Sequence, residues 1–538
     1  MSRRLKLRPT VYCTPVRDGL YFAGWTEAFT LQGPPSLRRL AEVVLPLLED
    51  GVPEGELLAA LPEGAARAVT EKLVAELLER RMLLDLDTLS VPALPAELLA
   101  RYGDTVAHLE GTSDDPYAAF LRFRGARIAV LGDGEAALRC AGLLTTLGLD
   151  EPVRDDLDEP VDLVVDLATV AGIGLSAATA ATARRRGLPL VQGVATGTAG
   201  IVCGPLAGDA QPGLTDAVAR AAQRRAAGLP APELAGEPAP VLVALVAGLA
   251  AHRAFQWLTG TGRDLARASL ADGDTLAVTE HLVVPTTDRP ADGAFGSVTV
   301  EAFLDAARDV ADDAFGVLGA ASPWGLPQTP AFATAVRAGA AGTLYGFGLS
   351  EEESRYRAYA EALRALAGEG AAFGLDVASL RLDGVARQAL ADWLAAGTPG
   401  TALDYTGVAD DATRMCWKTL AVRHGRAVAV VTAEPLPGVA CAAVRADGVR
   451  TAAYGVTPTR AARDALVAAL GAAQAGLSGP YLAGWADGPV VPGIADDDPP
   501  KPAEVLDRLG LDVRVTPSGH PAVAASGALA GHVEVRHG

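Results

Sequence analysis

A stretch of nine residues decides the fold of the middle of the chain: Ala126-Arg127-Ile128-Ala129-Val130-Leu131-Gly132-Asp133-Gly134. Its apolar, β-prone run ends in a glycine turn, and Ala136–Leu147 continues with helical spacing. Two further apolar runs, Val161–Leu167 and Leu188–Val194, flank a predicted helix over Ala177–Arg186. Strands that alternate with helices in this way predict a parallel α/β sheet whose strands are buried on both faces.

The glycine turn after the first of these strands is the usual place for a nucleotide phosphate, although a Gly-x-Gly turn is by itself a weak signal. Here the turn carries Asp133 and Glu135, whose carboxylates repel phosphate. No lysine occurs from residue 73 to residue 417, so this region offers no ammonium group to a triphosphate. We therefore expect Gly132 and Gly134 to belong to a vestigial nucleotide loop.

This middle region resembles the ThiF/E1-like fold, in the version found in azole-forming biosynthetic clusters that adenylates nothing. The matching residues are IAVLGDGEAALRCAGLLTTLGL (128–149), VDLVVDLA (161–168) and RGLPLVQGVATGTAGIVCGPL (186–206). Active E1-like enzymes bring an adenylating lysine and arginine and often a catalytic cysteine, and those positions do not match here. The resemblance implies a non-adenylating parallel α/β domain over residues 89–275.

The N-terminal 88 residues have a different pattern. Three β-prone runs precede three predicted helices: Arg8–Thr14, Leu20–Ala23 and Glu27–Leu31, then Leu37–Glu49, Pro53–Leu61 and Glu63–Met82. Three strands followed by three helices in so short a segment are typical of a winged helix. A DNA-binding winged helix needs a basic recognition helix, and Glu71, Glu76 and Glu79 on the third helix argue against one.

Residues 1–88 resemble the RiPP recognition element, the PqqD-like winged-helix domain that binds the leader peptides of ribosomally made natural products. The resemblance lies in TVYCTPVRDGLYFAGWTEAFTL (10–31) and in the helices after it. Members of that family bind the leader as an added strand along the third strand, against the third helix. The resemblance implies these peptide-binding residues: Glu27, Ala28, Phe29, Thr30 and Leu31 at the strand edge, and Arg67, Thr70, Val74 and Arg81 in the wall.

Residues 276–538 resemble the YcaO fold of the ATP-dependent cyclodehydratases, which implies an α+β domain. The resemblance rests on three stretches. They are DAFGVLGAASPWGLPQTP (313–330), Gly346–Glu353 with the helix RYRAYAEALRAL (355–366) after it, and the helix–strand pair Leu506–Val515.

The departures from the YcaO pattern decide the role expected of this domain. The family has Gly-Lys-Gly where this chain has Gly346-Phe347-Gly348, and carboxylates on its next helix hold the Mg²⁺ that bridges the ATP phosphates. Here Arg357 stands at a serine position and Arg364 at a glutamate position, while Glu361 remains. One carboxylate beside arginines does not hold a hard dication. The resemblance therefore implies a degenerate domain with no metal site, in which Gly346, Gly348 and Glu361 are vestiges.

The chain keeps other acidic residues that leave a second interpretation open. Glu352, Glu353 and Asp464 are spare ligand candidates for an active YcaO enzyme whose metal site has shifted. The alternative is thus a catalytically active ATP-dependent cyclodehydratase fused to its own recognition domain.

Composition limits the partners and the compartment. The chain has 46 Lys and Arg against 65 Asp and Glu, and the net charge of −19 repels nucleic acid and anionic membranes. The five cysteines form no Cys-x-x-Cys pair, so neither a disulfide framework nor a cysteine zinc site is expected. No secretory signal is recognisable, and the apolar run Pro240–Ala251 is too short to cross a bilayer. We expect a cytoplasmic protein.

These patterns together predict a multidomain α/β protein divided into 1–88, 89–275 and 276–538. By resemblance, we expect it to bind a precursor's leader and to deliver the Cys/Ser/Thr core to a separate YcaO cyclodehydratase, for azoline formation in thiopeptide or other azole-modified peptide biosynthesis. The chain itself is expected to have no catalytic residue, no cofactor and no metal, with ATP and Mg²⁺ on the partner enzyme. An azoline dehydrogenase is a further partner that the resemblance allows.

Overall fold

The computed structural model describes the chain with several gaps. The described residues are 3–132, 134–154, 157, 160–206, 212–262, 266–286, 297–323, 325–326, 328–397, 400–408, 410–477, 479–483 and 501–536. The chain forms two compact units, of which the first comprises Met1–Thr215 and Leu234–Glu280 and the second Asp216–Glu233 and His281–Gly538. The division into 1–88, 89–275 and 276–538 stays a prediction.

The first unit begins with two small sheets and three helices. Its elements are β1 (Arg4–Leu7), β2 (Tyr12–Val16), β3 (Gly19–Ala23), β4 (Ala28–Gln32), α1 (Ser36–Glu49), β5 (Val52–Pro53), α2 (Glu54–Ala59), α3 (Ala65–Glu79) and β6 (Leu83–Asp85). β2, β3 and β4 form an antiparallel sheet in that order, and β1 pairs between β5 and β6. The three predicted helices are present. β1, β5 and β6 were not predicted, because they have only four, two and three residues.

A seven-stranded sheet forms the larger part of the first unit. Its elements are α4 (Ala96–Thr112), α5 (Pro116–Arg124), β7 (Ile128–Leu131), α6 (Glu135–Leu147), β8 (Val153–Arg154), β9 (Leu163–Ala168), α7 (Ile173–Arg186), β10 (Leu190–Ala195), β11 (Ala199–Leu206), α9 (Pro240–Thr259), β12 (Ala268–Asp272) and β13 (Val278–His281). The helix α8 (Leu214–Ala226) lies between β11 and α9 in the chain, and from Asp216 onward it belongs to the second unit. The strand order is β13-β12-β11-β10-β9-β7-β8.

The prediction of a parallel sheet is correct for β8, β7, β9 and β10, which pair in parallel. It is wrong for the rest, because β11 and β12 run antiparallel to their neighbours and make the sheet mixed. The reason is the short connection between β10 and β11. Residues 196–198 are too few for a helical crossover, so the chain has to return as a hairpin.

The helix α9 packs in the core of this unit. With 20 residues, the helix is long and apolar enough to span a membrane by length and composition alone. The expectation that this segment is too short rested on the shorter apolar run Pro240–Ala251. Nine of its residues are buried, and Leu242, Val246 and Phe255 lie in one core cluster with the sheet strands. The Arg253 guanidinium donates to the Gly204 carbonyl at 2.7 Å and to Glu280 Oε2 at 2.6 Å. These contacts are those of a core helix.

The second unit contains two further sheets and a hairpin. Its elements are α10 (Val300–Val310), β14 (Phe332–Arg337), β15 (Thr343–Gly348), α11 (Glu351–Ala367), β16 (Ala372–Gly374), α12 (Val377–Ala396), β17 (Thr401–Leu403), α13 (Asp411–Lys418), β18 (Val428–Leu436), β19 (Val439–Ala446), β20 (Val449–Gly455), α14 (Pro458–Gln474), β21 (Gly479–Ala483), α15 (Pro502–Leu509), β22 (Asp512–Pro517), α16 (Pro521–Ala525) and β23 (Leu529–Arg536). The sheets have the orders β17-β18-β19-β20-β21 and β16-β23-β22, and β14 pairs with β15.

The helix α14 lies at the centre of the second unit. Every residue from Ala461 to Ala473 is buried, and eight of these thirteen are alanine or glycine. Small side chains let neighbouring elements approach the helix closely. A Cβ atom at Gly471 would lie 2.3 Å from a carbon of the Phe347 ring on β15. This close packing places the charged residues of α14 next to those of α11.

Candidate functional site

An apolar groove opens in the first unit between the end of β4, the first half of α3 and the helix α1. It encloses about 580 Å³. The core face of α1 is buried, but Val43 in the groove is 50% exposed and Val69 on α3 is 41% exposed. Arg39 and Lys72 also line the groove. An apolar floor with cationic side chains at its edge fits an apolar peptide side chain close to an acidic one.

The outer edge of β4 has backbone donors that no described strand uses, since β4 pairs only with β3. Two backbone hydrogen bonds that flank the β3–β4 pair identify these donors. The Gly33 N–H donates to the Asp18 carbonyl at 3.0 Å, and the Gly24 N–H donates to the Glu27 carbonyl at 2.8 Å. Hydrogen bonding alternates along an antiparallel pair, so the odd-numbered residues of β4 face β3. The N–H groups of Ala28, Thr30 and Gln32 therefore face outward.

The nine predicted peptide-binding residues do not line one common groove in the structure. Glu27 precedes β4, Ala28, Phe29, Thr30 and Leu31 lie on it, and only Leu31 lines the groove. In the predicted wall, Thr70 is fully buried and donates to the Ala66 carbonyl at 3.0 Å. Val74 is 1% exposed in the core.

The two predicted arginines also have other surroundings. Arg67 donates to the Leu61 carbonyl at 3.3 Å, and Arg81 pairs with Asp114. The face of α3 that lines the groove is the one with Ala66, Val69 and Lys72, one position away from the predicted face. The sequence carries no signal for this face, because Val69 has the same helical spacing as the buried Leu73 and Leu77.

The predicted nucleotide loop lies between β7 and α6, and Asp133 is outside the described residues. Gly132 has a φ of +118°, and a Cβ atom there would lie 2.4 Å from the Leu167 carbonyl oxygen. Gly134 is the N-cap of α6, whose first turn carries Glu135, and this carboxylate pairs with Arg139 at 2.5 Å. The backbone geometry of the turn thus requires glycine at 132 whether or not a nucleotide binds.

A buried polar network next to this loop was missed at the sequence level. Asp166 on β9 is 6% exposed, and its Oδ2 accepts from the Ser176 hydroxyl at 2.5 Å. The Gln192 amide donates to the same hydroxyl oxygen at 2.7 Å. Burial raises the pKa of Asp166, and the two hydrogen-bonding side chains only partly oppose that rise. A lone aspartate inside the apolar run 161–168 was the available signal.

Four charged side chains form a closed cluster between α11 and α14 in the second unit. We call Glu353, Arg357, Arg463 and Asp464 the ion cluster. Arg357 bonds to Glu353 at 2.7 Å and to Asp464 at 2.6 Å, and Arg463 bonds to the same two carboxylates at 3.0 and 2.6 Å. All four side chains are at most 5% exposed. The second oxygen of Glu353 accepts from the Leu349 N–H at 2.8 Å.

The ion cluster is electrically balanced, with two guanidinium groups against two carboxylates. Burial alone raises the pKa of Asp464, but the guanidinium groups of Arg357 and Arg463 outweigh it and hold the pKa below its ordinary value. The same carboxylates raise the pKa of Arg463. Asp464 and Arg463 therefore stay charged at neutral pH.

A second buried pair lies two helical turns further along α11. Arg364 bonds to Asp383 on α12 at 2.6 Å and also contacts Glu361, while the Tyr454 hydroxyl donates to Asp383. The Phe373 N–H donates to the other Asp383 oxygen at 2.9 Å. Burial lowers the pKa of Arg364, but Asp383 and Glu361 raise it further, so the guanidinium stays charged. The arginine at the predicted glutamate position thus neutralises the remaining acid, Glu361.

The sequence left Glu352, Glu353 and Asp464 as candidate metal ligands of an active enzyme. Glu353 and Asp464 are occupied by the two guanidinium groups of the ion cluster, and Glu352 is exposed. Within the described residues, no group of three or more His, Cys, Asp or Glu side chains could hold a metal ion. Mg²⁺ needs several oxygen ligands, and fixed guanidinium groups repel it. The described side chains of α11 and α14 therefore do not fit Mg²⁺.

The glycines at 346 and 348 have a packing role. A Cβ atom at Gly346 would lie 2.1 Å from the Ser354 carbonyl oxygen, and one at Gly348 would lie 2.7 Å from the Ser354 nitrogen. β15 therefore contacts the backbone of α11 directly. Phe347 between them packs on α14 at Gly471. The Gly-Phe-Gly pattern here has a structural explanation that involves no phosphate.

Comparison with known proteins bears on the fold. No protein-family model matches the chain, and no curated protein matches it either. A solved heterocyclase in complex with substrate and cofactor is similar at a TM-score of 0.62 and 13% identity, over 100% of this chain and 95% of that chain. The heterocyclase TruD is similar at 0.50 and 13% identity, over 99% and 94%. The chain has a heterocyclase-like fold.

A third solved structure, Escherichia coli MccB with succinimide, covers 52% of this heterocyclase-like chain and 96% of its own length at 11% identity. Its TM-score of 0.38 is too low to support an argument. Identities this low relate folds and leave the activity of the chain open. The winged-helix, ThiF-like and YcaO-like assignments within the heterocyclase-like fold stay predictions.

Replacing glycine by alanine should have opposite effects on the free energy of unfolding at Gly132 and at Gly142. Gly132→Ala should lower the free energy of unfolding by about 1–3 kcal/mol, because its φ is positive and the Leu167 carbonyl blocks a Cβ atom. Gly142→Ala in α6 should raise it by about 0.5–1 kcal/mol, since no atom lies within 4 Å of that Cβ position. Urea unfolding of the full-length chain measures both. Equal effects would contradict the assignment of the turn.

The ion cluster predicts a large loss of stability on removal of one guanidinium. Arg357→Ala should lower the free energy of unfolding by about 3–5 kcal/mol, because Glu353 and Asp464 lose a shared partner in a buried site. The matched control is Arg355→Ala on the same helix, whose pair with Glu351 is partly exposed and should contribute less than about 1 kcal/mol. Chemical denaturation by urea compares the two.

The pH dependence gives a second readout for this variant. The folded-state pKa of Asp464 is depressed, so its contribution is present above the unfolded pKa of about 4 and is lost as the pH falls through the folded value. The difference between wild type and Arg357→Ala should therefore shrink below about pH 4. A difference that is constant down to pH 2 would show that the arginine acts through packing alone.

Proposed function

We propose that this chain is the leader-binding partner subunit of an azoline-forming cyclodehydratase. It binds the leader of a ribosomally made precursor peptide through its first unit. The Cys/Ser/Thr core of that peptide then reacts on a separate YcaO enzyme, which holds ATP and Mg²⁺. Because the leader is tethered, the core is presented at a high effective concentration, and this chain needs no chemistry of its own.

The edge of β4 supports the leader-binding half of the proposal. Three N–H groups, at Ala28, Thr30 and Gln32, alternate along an edge that no described strand covers. An extended peptide gains backbone hydrogen bonds at such an edge, and its alternate side chains enter neighbouring pockets. The groove at Leu31, Val69 and Lys72 lies at the end of the same strand. We assign the wall of the site to this groove rather than to Thr70 and Val74.

The ion cluster is the observation that carries the non-catalytic half of the proposal. An active metal site needs free carboxylate oxygens, and those of Glu353 and Asp464 are held by Arg357 and Arg463. Opening the cluster to admit Mg²⁺ would leave buried guanidinium groups without their partners. The heterocyclase-like fold is retained, which is compatible with docking on a homologous active enzyme.

Substitution at Thr30 tests the binding edge. Thr30→Pro removes one outward-facing donor and leaves the donors of Phe29 and Leu31 toward β3 intact, so leader affinity should fall about tenfold or more. The control Thr30→Ala keeps the N–H and should bind within about threefold of wild type. Fluorescence anisotropy with the full-length chain and a labelled leader of the precursor encoded beside its gene gives both constants.

A charge placed in the groove extends this test. Val69→Glu puts a carboxylate at a position that is 41% exposed, so the fold should persist while an apolar peptide side chain loses its site. Val422→Glu, at a residue 73% exposed in the second unit, is the control. If Thr30→Pro and Val69→Glu both bind the leader as wild type does, the peptide lies elsewhere and the proposal fails.

The alternative function, an active cyclodehydratase, is favoured by one observation: the similarity to a heterocyclase covers the whole chain. The purified chain with its precursor peptide should release no phosphate from ATP and should cause no loss of water in the peptide's mass spectrum. Adding the separate YcaO enzyme should restore both. Turnover of ATP by this chain alone would establish the alternative.

The residue Glu361 separates the two functions within the reconstituted pair. Glu361→Ala in this chain should change the rate of azoline formation by less than about twofold, because its carboxylate only pairs with Arg364 and Arg387. If Glu361→Ala stops the reaction while the fold and the complex persist, the residue contributes to catalysis and the partner-subunit proposal is wrong.

A further inference from the structure

A second cavity lies in the second unit beside α8, and none of its lining residues belongs to the ion cluster. It encloses about 360 Å³, and we call it the α8 cavity. Arg220, Gln223 and Arg224 of α8 line one side, and the turn Ala338–Ala341 with the end of α11 at Ala365 lines the other. Pockets of this size take small molecules. The proposed function uses none of these residues.

The guanidinium of Arg224 is the polar group at the wall of this cavity. The residue is 2% exposed. Its Nε donates to the Pro230 carbonyl at 2.7 Å, and its Nη1 donates to the carbonyls of Gly316 and Leu318 at 3.0 and 2.8 Å. Its Nη2 is buried and has no hydrogen-bond partner within the described part of the chain. Two strong donors are thus left unused in a place from which bulk water is excluded.

The charge of Arg224 is also poorly compensated. Asp313 is the one carboxylate within salt-bridge distance in the described structure, at 3.9 Å from Nη2, and its side chain is 68% exposed. Burial lowers the pKa of Arg224, and Asp313 and Asp312 oppose that change only in part. A buried cation without a hydrogen-bonded counter-ion is costly, and such groups are normally paired. An anion in the cavity would remove this cost.

Arg220 cannot serve as the counter-ion of Arg224, because it is itself positively charged. Its Nε donates to the Val284 carbonyl at 2.8 Å, its Nη1 to Gln223 at 2.7 Å and its Nη2 to the Pro285 carbonyl. These bonds hold the side chain in place at 6% exposure. The two arginines lie one turn apart on the same face of α8, so their fields add in the cavity. The electrostatic preference is for a single anionic group.

The other side chains that line the cavity are apolar. Ala227, Leu229, Val317, Ala338 and Leu366 contribute only methyl and methylene groups. A bare oxyanion such as phosphate would satisfy Arg224 but leave these walls without contacts. We propose that the α8 cavity binds a small carboxylate with an apolar body, with its head group at Arg224 Nη2 and its body along the alanine and leucine side chains.

Calorimetric titration of the full-length chain tests the class of ligand, with octanoate as the probe. We expect saturable binding with one site per chain. Inorganic phosphate, which lacks the apolar body, and octanol, which lacks the carboxylate, should bind at least about tenfold more weakly. Phosphate that binds as tightly as octanoate would overturn the proposed class. Absence of saturable octanoate binding at millimolar concentration would overturn the site.

Two variants place the binding at the α8 cavity. Arg224→Gln should weaken octanoate binding at least about tenfold, and Arg225→Gln, at the exposed neighbour, should leave it within about twofold. Because Arg224 also holds backbone carbonyls, Ala365→Phe is added, which fills the cavity from an exposed position and leaves those bonds intact. It should abolish binding. Unchanged affinity in Ala365→Phe would show that octanoate binds elsewhere.

Discussion

The second unit depends on the balance of charge in the ion cluster. α14 is buried from Ala461 to Ala473, so the adjacent charges of Arg463 and Asp464 lie inside the protein and need partners there. α11 supplies them as Glu353 and Arg357, which are four residues apart on one helical face. Only one register of α11 against α14 forms all the bonds. The Leu349 N–H attaches the end of β15 to the same group, and the close approach of β15 at its glycines follows from that register.

The same constraint bears on metal binding in the second unit. A carboxylate that balances a buried guanidinium is not available to a metal ion, and its removal from the pair costs more than a new ligand bond at the surface. The first unit has the opposite character. Its edge strand β4 and the groove at Val69 hold unused donors and exposed apolar side chains without a buried charge. In the second unit, the carboxylates of Glu353 and Asp464 are already bonded to Arg357 and Arg463.

Local patterns in the sequence predict the three N-terminal helices and the helices α6 and α7, but they leave the 20-residue α12 unpredicted, and its buried face includes Ser379 and Asp383. They fail where pairing between distant segments decides the outcome. β1 is a strand only because β5 and β6 flank it, and β11 reverses because a hairpin of three residues precedes it. The predicted groove face of α3 was wrong by one position. Thr70 was included in it as a polar residue, but its hydroxyl donates to the Ala66 carbonyl within its own helix. Arg357 and Arg364 were recognised as departures, but their partners Asp464 and Asp383 lie 107 and 19 residues away.

The chain has only four lysines, and its buried cations show why arginine serves instead. Arg253, Arg357, Arg364 and Arg463 each have a carboxylate oxygen within 2.7 Å, and the planar fork of the guanidinium lets each of them bond to further partners at the same time. Arg224 differs from these four, because the nearest carboxylate in the described structure is 3.9 Å away and exposed. The same rule that makes the ion cluster a closed structural unit, that a buried charge needs a hydrogen-bonded counter-charge, therefore makes the α8 cavity an incomplete one. The proposed carboxylate ligand would supply the missing counter-charge.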